Sequence, residues 1–139
     1  MPFREHLKVR FGDIDQAGIV YYPRFLHYFH VALEDFFSYA LKINYPQMLK
    51  EHRIGFPTVH LETDFFKPLW YGDEIDIEVR PLKLGKTSIT WEYLTFIGGE
   101  EDPRIRGSNI TVCLNMDTFT KMNIPSWLRE RLKRLVYIP

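Results

Sequence analysis

The chain has 139 residues, of which 45% are hydrophobic and 16% aromatic, so we expect one domain, residues 1–139, with a buried core. Lysine and arginine number 18, as do aspartate and glutamate, so no overall basic charge indicates a nucleic-acid partner. The single cysteine, Cys113, excludes an internal disulfide and a cysteine-rich metal site. Because no signal peptide and no membrane span are visible, we expect a cytoplasmic protein.

The first half of the chain predicts a strand and a long helix. Alternating apolar residues predict a strand over 6–12, and a loop over 13–22 follows it. Apolar residues at helical spacing predict a helix over 23–41, with Pro23 at its first position. This helix is apolar around most of its circumference, which is typical of a buried helix. A short helix is predicted over 46–52.

The second half predicts an antiparallel sheet. The predicted strands cover residues 57–67, 74–83, 87–97 and 104–117. Turns are predicted at 71–73 and 84–86, and a final helix begins at Pro125 and Ser126 and ends near Arg134. The order is therefore β-α-β-β-β-β-α, and the simplest packing wraps the sheet around the buried long helix.

The loop before the long helix contains two carboxylates, Asp13 and Asp15. We expect one of them to face a site and the other to support the turn. Tyr22, just before Pro23, has its backbone N–H at a helix start, where N–H groups lack partners. A carboxylate near such N–H groups suits attack on a carbonyl, although aspartates beside glycine also occur as plain turn residues.

The run Phe11-Gly-Asp-Ile-Asp-Gln-Ala-Gly-Ile-Val-Tyr-Tyr-Pro-Arg-Phe25 resembles the active-site signature of hotdog-fold enzymes of the 4-hydroxybenzoyl-CoA thioesterase type. This group includes the thioesterases associated with the Tol–Pal system. The helix after the signature and the segments 57–65, 71–74 and 85–89 also resemble the family, over about residues 5–135. The resemblance implies an α+β hotdog fold, with an antiparallel β-sheet wrapped around a long central α-helix. It also implies hydrolysis of an acyl-CoA thioester.

The same resemblance implies roles for individual residues. Asp15 is the catalytic carboxylate, acting as nucleophile or as general base, and the Tyr22 N–H polarises the thioester carbonyl. The expected substrate-binding residues are Gly18, Lys86, Ser88 and Arg106. The hairpin around Lys86 and Ser88 lines the coenzyme A site in the family, and basic side chains there suit the nucleotide phosphates.

Two positions bear on the branch of the family. Tyr22 matches the 4-hydroxybenzoyl-CoA enzyme, whereas many Tol–Pal-associated members have histidine there. Leu33 replaces an arginine of the Tol–Pal branch. The resemblance implies no metal and no cofactor, since coenzyme A is part of the substrate. It also implies a homodimer or a homotetramer built as a dimer of dimers.

Two groups of polar side chains suggest alternative sites. On the long helix, His27, His30 and Glu34 share a strip that would form a metal site or, as we prefer, a polar rim with His30 bonded to Glu34. On the strand over 57–67, one face has Val59, Leu61, Thr63 and Phe65, and the other has His60, Glu62 and Asp64. We interpret the second set as a polar strand face or a subunit interface.

Two other functions stay open. A hotdog dehydratase or hydratase would use a helix histidine with a carboxylate, so His27 or His30 would face the pocket with Glu34. Glu34 is also the substitute for Asp15 if Asp15 does not react. A non-catalytic acyl-CoA-binding module would bind esters without turnover, but the intact Asp-x-Asp-x-x-Gly pattern from Asp13 to Gly18 favours an enzyme.

Overall fold

A computed structural model describes residues 2–136 of the chain. The strands are β1 (Phe3–Lys8), β2 (Ile54–Gly55), β3 (Thr58–Phe65), β4 (Glu74–Leu84), β5 (Ser88–Ile97), β6 (Ile105–Val112), β7 (Leu114–Asn115) and β8 (Thr120–Lys121). The helices are α1 (Arg24–Asp35), which continues as a π-helical segment (Phe36–Ala40), α2 (Tyr45–Lys50) and α3 (Ser126–Lys133), and a 3₁₀ turn covers Phe11–Asp13. We call the continuous segment Arg24–Ala40 the long helix.

The strands form two antiparallel sheets. The larger sheet has the strand order β1-β4-β5-β6-β3, and the smaller sheet has the order β2-β7-β8. Every pairing in the larger sheet is antiparallel. An antiparallel sheet around one long helix is the hotdog fold, so the predicted α+β class and wrapping are confirmed. No helix in residues 2–136 has the length and apolar character needed to cross a membrane.

The long helix lies against one face of the larger sheet through stacked aromatic rings. Phe29 stacks on Tyr93 with 4.8 Å between ring centroids and 12° between planes. About two turns of helix later, Phe36 and Phe37 contact Trp91 at 5.4 and 6.0 Å. These side chains are all at most 3% exposed. The predicted apolar circumference of the helix therefore supplies most of the core.

Gly107 of β6 allows this close approach. A Cβ atom at position 107 would lie only 2.4 Å from Cε2 of Phe29, which is inside the contact distance of two carbon atoms. Glycine is therefore required here by the proximity of the helix and not by backbone conformation.

The opposite face of the sheet carries a ladder of alternating charges across four strands. Arg4 of β1 contacts Glu78 of β4, which also pairs with Arg80. Glu92 of β5 accepts a hydrogen bond from Nε of Arg106 on β6 at 2.9 Å and lies 3.6 Å from Arg80. The Glu78 and Glu92 residues are buried even in the single chain. The arginine partners offset the free-energy cost of removing these two carboxylates from water.

Most predicted elements are confirmed, but two strand predictions have wrong boundaries and two short strands were missed. The strand predicted over 6–12 ends at Lys8, because residues 11–13 turn into a 3₁₀ helix that leaves Phe11 75% exposed. The strand predicted over 104–117 divides at Cys113. The N–H of Cys113 donates to Thr87 O, and the chain then crosses into the smaller sheet. The two-residue strands β2 and β8 were not predicted at all.

The face assignment for β3 is partly wrong. The register shifts between Thr58 and His60, so Val59 forms a bulge and does not share a regular face with Leu61. Thr58 and Leu61 both face the helix side instead, where they line a cavity. β3 is also an edge strand, and nearly all of its side chains are exposed in the single chain.

A carboxyl pair joins β1 to the end of α1. The partly buried carboxyl group of Glu5 lies next to that of Asp35. The pKa of Glu5 is raised to about 7. Partial burial is the main cause and the neighbouring Asp35 carboxyl is the second, while His6 has the opposite effect. The folded protein therefore favours the protonated form of Glu5 below about pH 7.

We predict that Gly107→Ala destabilises the protein. The added methyl group would collide with Phe29, and overpacking a core costs about 1–3 kcal/mol. Urea unfolding measures this loss. Gly98→Ala is the matched control, because a Cβ at position 98 meets no atom within 4 Å. Equal stabilities of the two variants would show that the helix does not need this contact.

We predict that Glu5→Gln stabilises the protein at alkaline pH. Glu5 holds its proton up to about pH 7 when folded but only to 4.5 in its ordinary state, so stability is lost as pH rises through this window. A neutral glutamine avoids that loss, by about 1 kcal/mol at about pH 8 after allowance for solvent screening, with no gain near pH 4. Chemical unfolding at both pH values checks it. Glu101→Gln in an exposed loop is the control. A gain in stability that is independent of pH would contradict the raised pKa of Glu5.

Candidate active site

The loop before the long helix is a small hairpin that holds Asp15. Its two sides meet at the bridge between Ile14 and Val20. The N–H of Asp15 donates to Ile19 O at 2.9 Å, and the N–H of Gly18 donates back to Asp15 O at 3.0 Å. Gly18 has φ of 84°, which other residues rarely adopt, and it lies beneath the Trp70 ring. Gly18 therefore closes the turn that sets the position of Asp15.

Asp13 and Asp15 have different partners. Oδ2 of Asp13 accepts a hydrogen bond from the Arg10 N–H at 2.9 Å, and the Asp13 carboxylate adds to burial in raising the pKa of Tyr28. Oδ1 of Asp15 accepts from the Ala17 N–H at 2.8 Å. Within residues 2–136, Oδ2 of Asp15 has no hydrogen-bond partner. Both aspartates thus serve turns, but Asp15 is exposed and keeps one oxygen available for chemistry.

The backbone N–H of Tyr22 has no partner within residues 2–136. The N–H of Tyr21 donates to Asp13 O at 2.9 Å, and that of Arg24 donates to Tyr21 O at 2.8 Å. Pro23, between them, has no N–H. Tyr22 makes no N–H hydrogen bond to any atom in the described part of the chain. An unpaired N–H at the start of a long helix, where the dipole is positive, favours an anionic oxygen.

An open cavity with an aromatic wall adjoins the carboxylate. It is lined by Phe11, Ile14, Asp15, Gln16 and Tyr21. Tyr21 packs against Tyr22 with 5.5 Å between ring centroids, and both rings are more than half exposed. The available carboxylate oxygen therefore lies at an exposed, largely apolar surface, and Tyr22 adjoins one of its lining residues, Tyr21.

A more enclosed cavity of about 260 Å³ lies between the long helix and the sheet. Leu26, His30 and Leu61 are exposed at its mouth, beside β3, whereas Tyr93 and Asn109 are buried. The Tyr93 hydroxyl donates to Asn109 Oδ1 at 2.9 Å, and Asn109 Nδ2 donates to Thr58 Oγ1 at 3.0 Å. This chain of hydrogen bonds satisfies the buried polar groups and leaves an otherwise apolar chamber.

The helix strip is confirmed as a polar rim at this mouth. His30 Nε2 lies 2.9 Å from Glu34 Oε1, and both side chains are about half exposed. On β3, His60 Nε2 similarly lies 2.9 Å from Glu62 Oε1. Among residues 2–136, no group of three His, Cys, Asp or Glu side chains has an arrangement that could hold a metal ion.

Of the residues expected to bind coenzyme A, Arg106 lies apart from Lys86 and Ser88. Lys86 is exposed at the β4–β5 hairpin, where its carbonyl accepts from Ile124 N and from Arg129. Ser88 opens β5 in the same hairpin. Arg106 lies on the outer face of the sheet, in the charge ladder with Glu92. The structure thus brings Lys86 and Ser88 together but separates Arg106 from the helix side of the sheet.

Sequence reasoning did not identify the chamber between helix and sheet. Thr58, Tyr93 and Asn109 form its polar network, yet each alternates with neighbours as an ordinary strand residue does. One signal was available: Asn109 occupies an inward position of β6, between Gly107 and Thr111, where an amide needs buried partners.

A hotdog fold with an exposed carboxylate before the central helix and an unpaired N–H at its start defines a class of enzymes that act on acyl thioesters. The thioesterase-like superfamily model matches residues 9–132. The chain therefore belongs to the thioesterase-like superfamily.

Curated relatives and solved structures agree with this family. A protein of Crocosphaera subtropica named 1,4-dihydroxy-2-naphthoyl-CoA hydrolase is 31% identical over 88% of this chain and 92% of its own length. The structure of a gentisyl-coenzyme A thioesterase has a TM-score of 0.84 and 28% identity, covering 94% of this chain and 99% of that chain. A 1,4-dihydroxy-2-naphthoyl-CoA thioesterase from Synechocystis has a TM-score of 0.85 and covers 96% of both chains, but at 22% identity it supports the fold alone.

Proposed function

We propose that this acyl-CoA thioesterase hydrolyses the coenzyme A esters of hydroxylated aromatic acids, with Asp15 as its catalytic carboxylate. The observation that carries the proposal is the exposed Asp15 carboxylate, with Oδ2 available, in a loop that leads to the unpaired Tyr22 N–H. The curated relatives named as hydrolases of 1,4-dihydroxy-2-naphthoyl-CoA support the aromatic acyl group. The tyrosine at position 22 and the leucine at position 33 favour the 4-hydroxybenzoyl-CoA branch over the Tol–Pal branch.

The reaction adds water across the C–S bond and yields a carboxylic acid and the free thiol of coenzyme A. Asp15 has two possible roles. As a nucleophile it attacks the carbonyl carbon, displaces the thiolate and forms an anhydride, which water then hydrolyses; as a general base it takes a proton from the attacking water. In both cases the carbonyl oxygen becomes negative and accepts a hydrogen bond from Tyr22. Such a donor lowers the activation barrier by about 2.7–4 kcal/mol.

The chamber between helix and sheet is our candidate for the acyl group. Its volume of about 260 Å³ exceeds the roughly 150 Å³ of a cavity that holds benzene, so it admits an aromatic ring system. The stacked rings of Phe29 and Tyr93 give it flat walls. At the mouth, the His30 imidazole, oriented by Glu34, is available to a ring hydroxyl.

Coenzyme A itself would lie over the β4–β5 hairpin. The exposed Lys86 ammonium suits a phosphate, and Ser88 adds a hydroxyl beside it. Gly18 would contribute through its turn, as a surface that lacks a side chain. Arg106 is the least favoured of these residues, because Glu92 already neutralises it.

We also propose a homodimer, or a tetramer built from two dimers, in the cytoplasm. β3 is an edge strand, which pairs with β6 on one side and with no strand of residues 2–136 on the other; its Leu61 and Phe65 are half-exposed, and the chamber opens beside it. A second copy paired at β3 would cover these side chains and enclose the chamber. The proposed chemistry needs no metal and no cofactor beyond the coenzyme A of the substrate.

Hydration of an enoyl-CoA is the second candidate function. His30 does line the chamber and is bonded to Glu34, which is the arrangement that a hydratase of this fold would need. The loss of enoyl absorbance from crotonyl-CoA measures this activity. Hydration that depends on Glu34 and not on Asp15 would favour it over the thioesterase, and binding of esters without any turnover would favour a binding module.

We predict that Asp15→Asn abolishes thiol release. Removal of the carboxylate should lower kcat by about 10³-fold, whereas the amide can still cap the Ala17 N–H and keep the fold. Thiol release from a panel of aromatic and aliphatic acyl-CoAs measures the loss. Asp64→Asn, on the exposed edge strand, is the control. Sedimentation compares the assembly of all three proteins. An Asp15→Asn variant as active as the native protein would move the catalytic role to Glu34.

We predict that His30 selects ring hydroxyl groups. The native enzyme should hydrolyse 4-hydroxybenzoyl-CoA or 1,4-dihydroxy-2-naphthoyl-CoA about fivefold more efficiently than the corresponding ester without hydroxyl groups, since one hydrogen bond is worth about 1 kcal/mol. His30→Phe should remove this preference and spare the unsubstituted ester. His27→Phe, one turn away outside the chamber, is the control. An unchanged preference would place the ring elsewhere.

A further inference from the structure

A second, basic groove lies at the far end of the long helix. Two adjoining cavities of about 320 and 350 Å³ share Lys42 and Arg131 at their boundary. The last residues of the long helix and the start of α2 form one side, and α3 forms the other. The long helix has 17 residues, so this groove is about 25 Å from the loop that holds Asp15. It is therefore separate from the site described above.

The charges of this groove have one sign. Lys42, Arg131 and Arg134 line the two cavities, and no Asp or Glu is among their described lining residues. At the rim, the carboxylate of Glu51 accepts a hydrogen bond from the Gln47 side chain at 2.9 Å. Within residues 2–136, Lys42 and Arg134 form no ion pair. These two side chains can therefore form ion pairs with a bound anion.

The backbone places Lys42 in an unfavourable conformation. Its φ is 59°, in the left-handed region where a helix end normally has glycine or asparagine. Arg131 stabilises this end, because its Nη1 donates to the carbonyls of Leu41 and Lys42 at 3.1 Å each. A lysine that occupies a glycine position at a cost in stability suggests a use for its charge.

An aromatic wall closes one side of the groove. The Trp127 ring packs against the His52 ring with 5.5 Å between centroids, and Trp127 is 39% exposed. Both rings line the first cavity together with Lys42 and Arg131. A flat aromatic face beside a cluster of cations matches a ligand that has both a planar base and a phosphate group.

We propose that this groove binds an adenine nucleotide, with the base on Trp127 and the phosphates between Lys42, Arg131 and Arg134. The nucleotide has two possible sources: a free nucleotide such as ADP, or the nucleotide end of a coenzyme A molecule. Binding here leaves the Asp15 loop open, so the groove is a second ligand site. The proposal rests on the groove alone and holds whether or not Asp15 proves catalytic.

Lys42→Gly is the decisive variant. Glycine accepts φ of 59° without strain, so this variant should melt at or above the temperature of the native protein. It also removes the charge and should weaken ADP binding about tenfold by calorimetry. A loss of binding in a protein that is at least as stable excludes misfolding. Lys50→Gly, or the milder Lys50→Ala, on the neighbouring helix α2 is the control for a general loss of positive charge.

The remaining measurements distinguish the ligands. Inorganic phosphate should bind more weakly than ADP, and ADP should quench tryptophan fluorescence in the native protein but not in Trp127→Phe to the same extent. If Lys42→Gly raises the KM for an acyl-CoA while kcat is unchanged, the groove holds the nucleotide end of coenzyme A, in place of the β4–β5 hairpin proposed above. An unchanged KM indicates a free nucleotide. The proposal is overturned if ADP binds no better than phosphate, or if Lys42→Gly binds ADP as tightly as the native protein.

Discussion

The contact between the long helix and the sheet determines how the rest of the molecule is arranged. Phe29 stacks flat on Tyr93 only because Gly107 leaves room for its ring. Two turns further along, the helix meets Trp91 through Phe36 and Phe37. With the helix held at this distance, the side chains on its β3 side do not fill the space beside them, and a chamber is left. The same packing that stabilises the core therefore also creates a place for a ligand.

The start of the helix creates the reactive end of the site. Pro23 has no N–H, and the neighbouring N–H groups of Tyr21 and Arg24 are engaged, so the positive end of the helix is presented through Tyr22. The preceding hairpin, closed at Gly18, exposes Asp15 at the same end. The carboxylate stays in solvent and keeps an available oxygen, which suits a group that must react with a thioester or with water. Position in the fold, and not burial, accounts for its availability.

Local patterns predicted much of the fold and of the reactive loop, because both depend on residues close in sequence. The long helix follows from its 3.6-residue periodicity, and the loop with a turn after Asp15 from its glycine and aspartates. The strand break at Cys113 and the bulge at Val59 depend on pairing with distant strands, so no local pattern contains them. The chamber was missed for the same reason: Thr58 and Asn109 are 51 positions apart and meet only in the sheet.

The chain has equal numbers of acidic and basic residues, but they are unevenly distributed over its surface. On the outer face of the sheet, Glu78 and Glu92 are neutralised by neighbouring arginines across four strands. Near the two ends of the long helix the arrangement is different. The exposed Asp15 carboxylate lies in the loop before its first residue, and Lys42 and Arg134, which form no ion pair within residues 2–136, lie beyond its last. A zero net charge is therefore compatible with two oppositely charged sites at opposite ends of one helix.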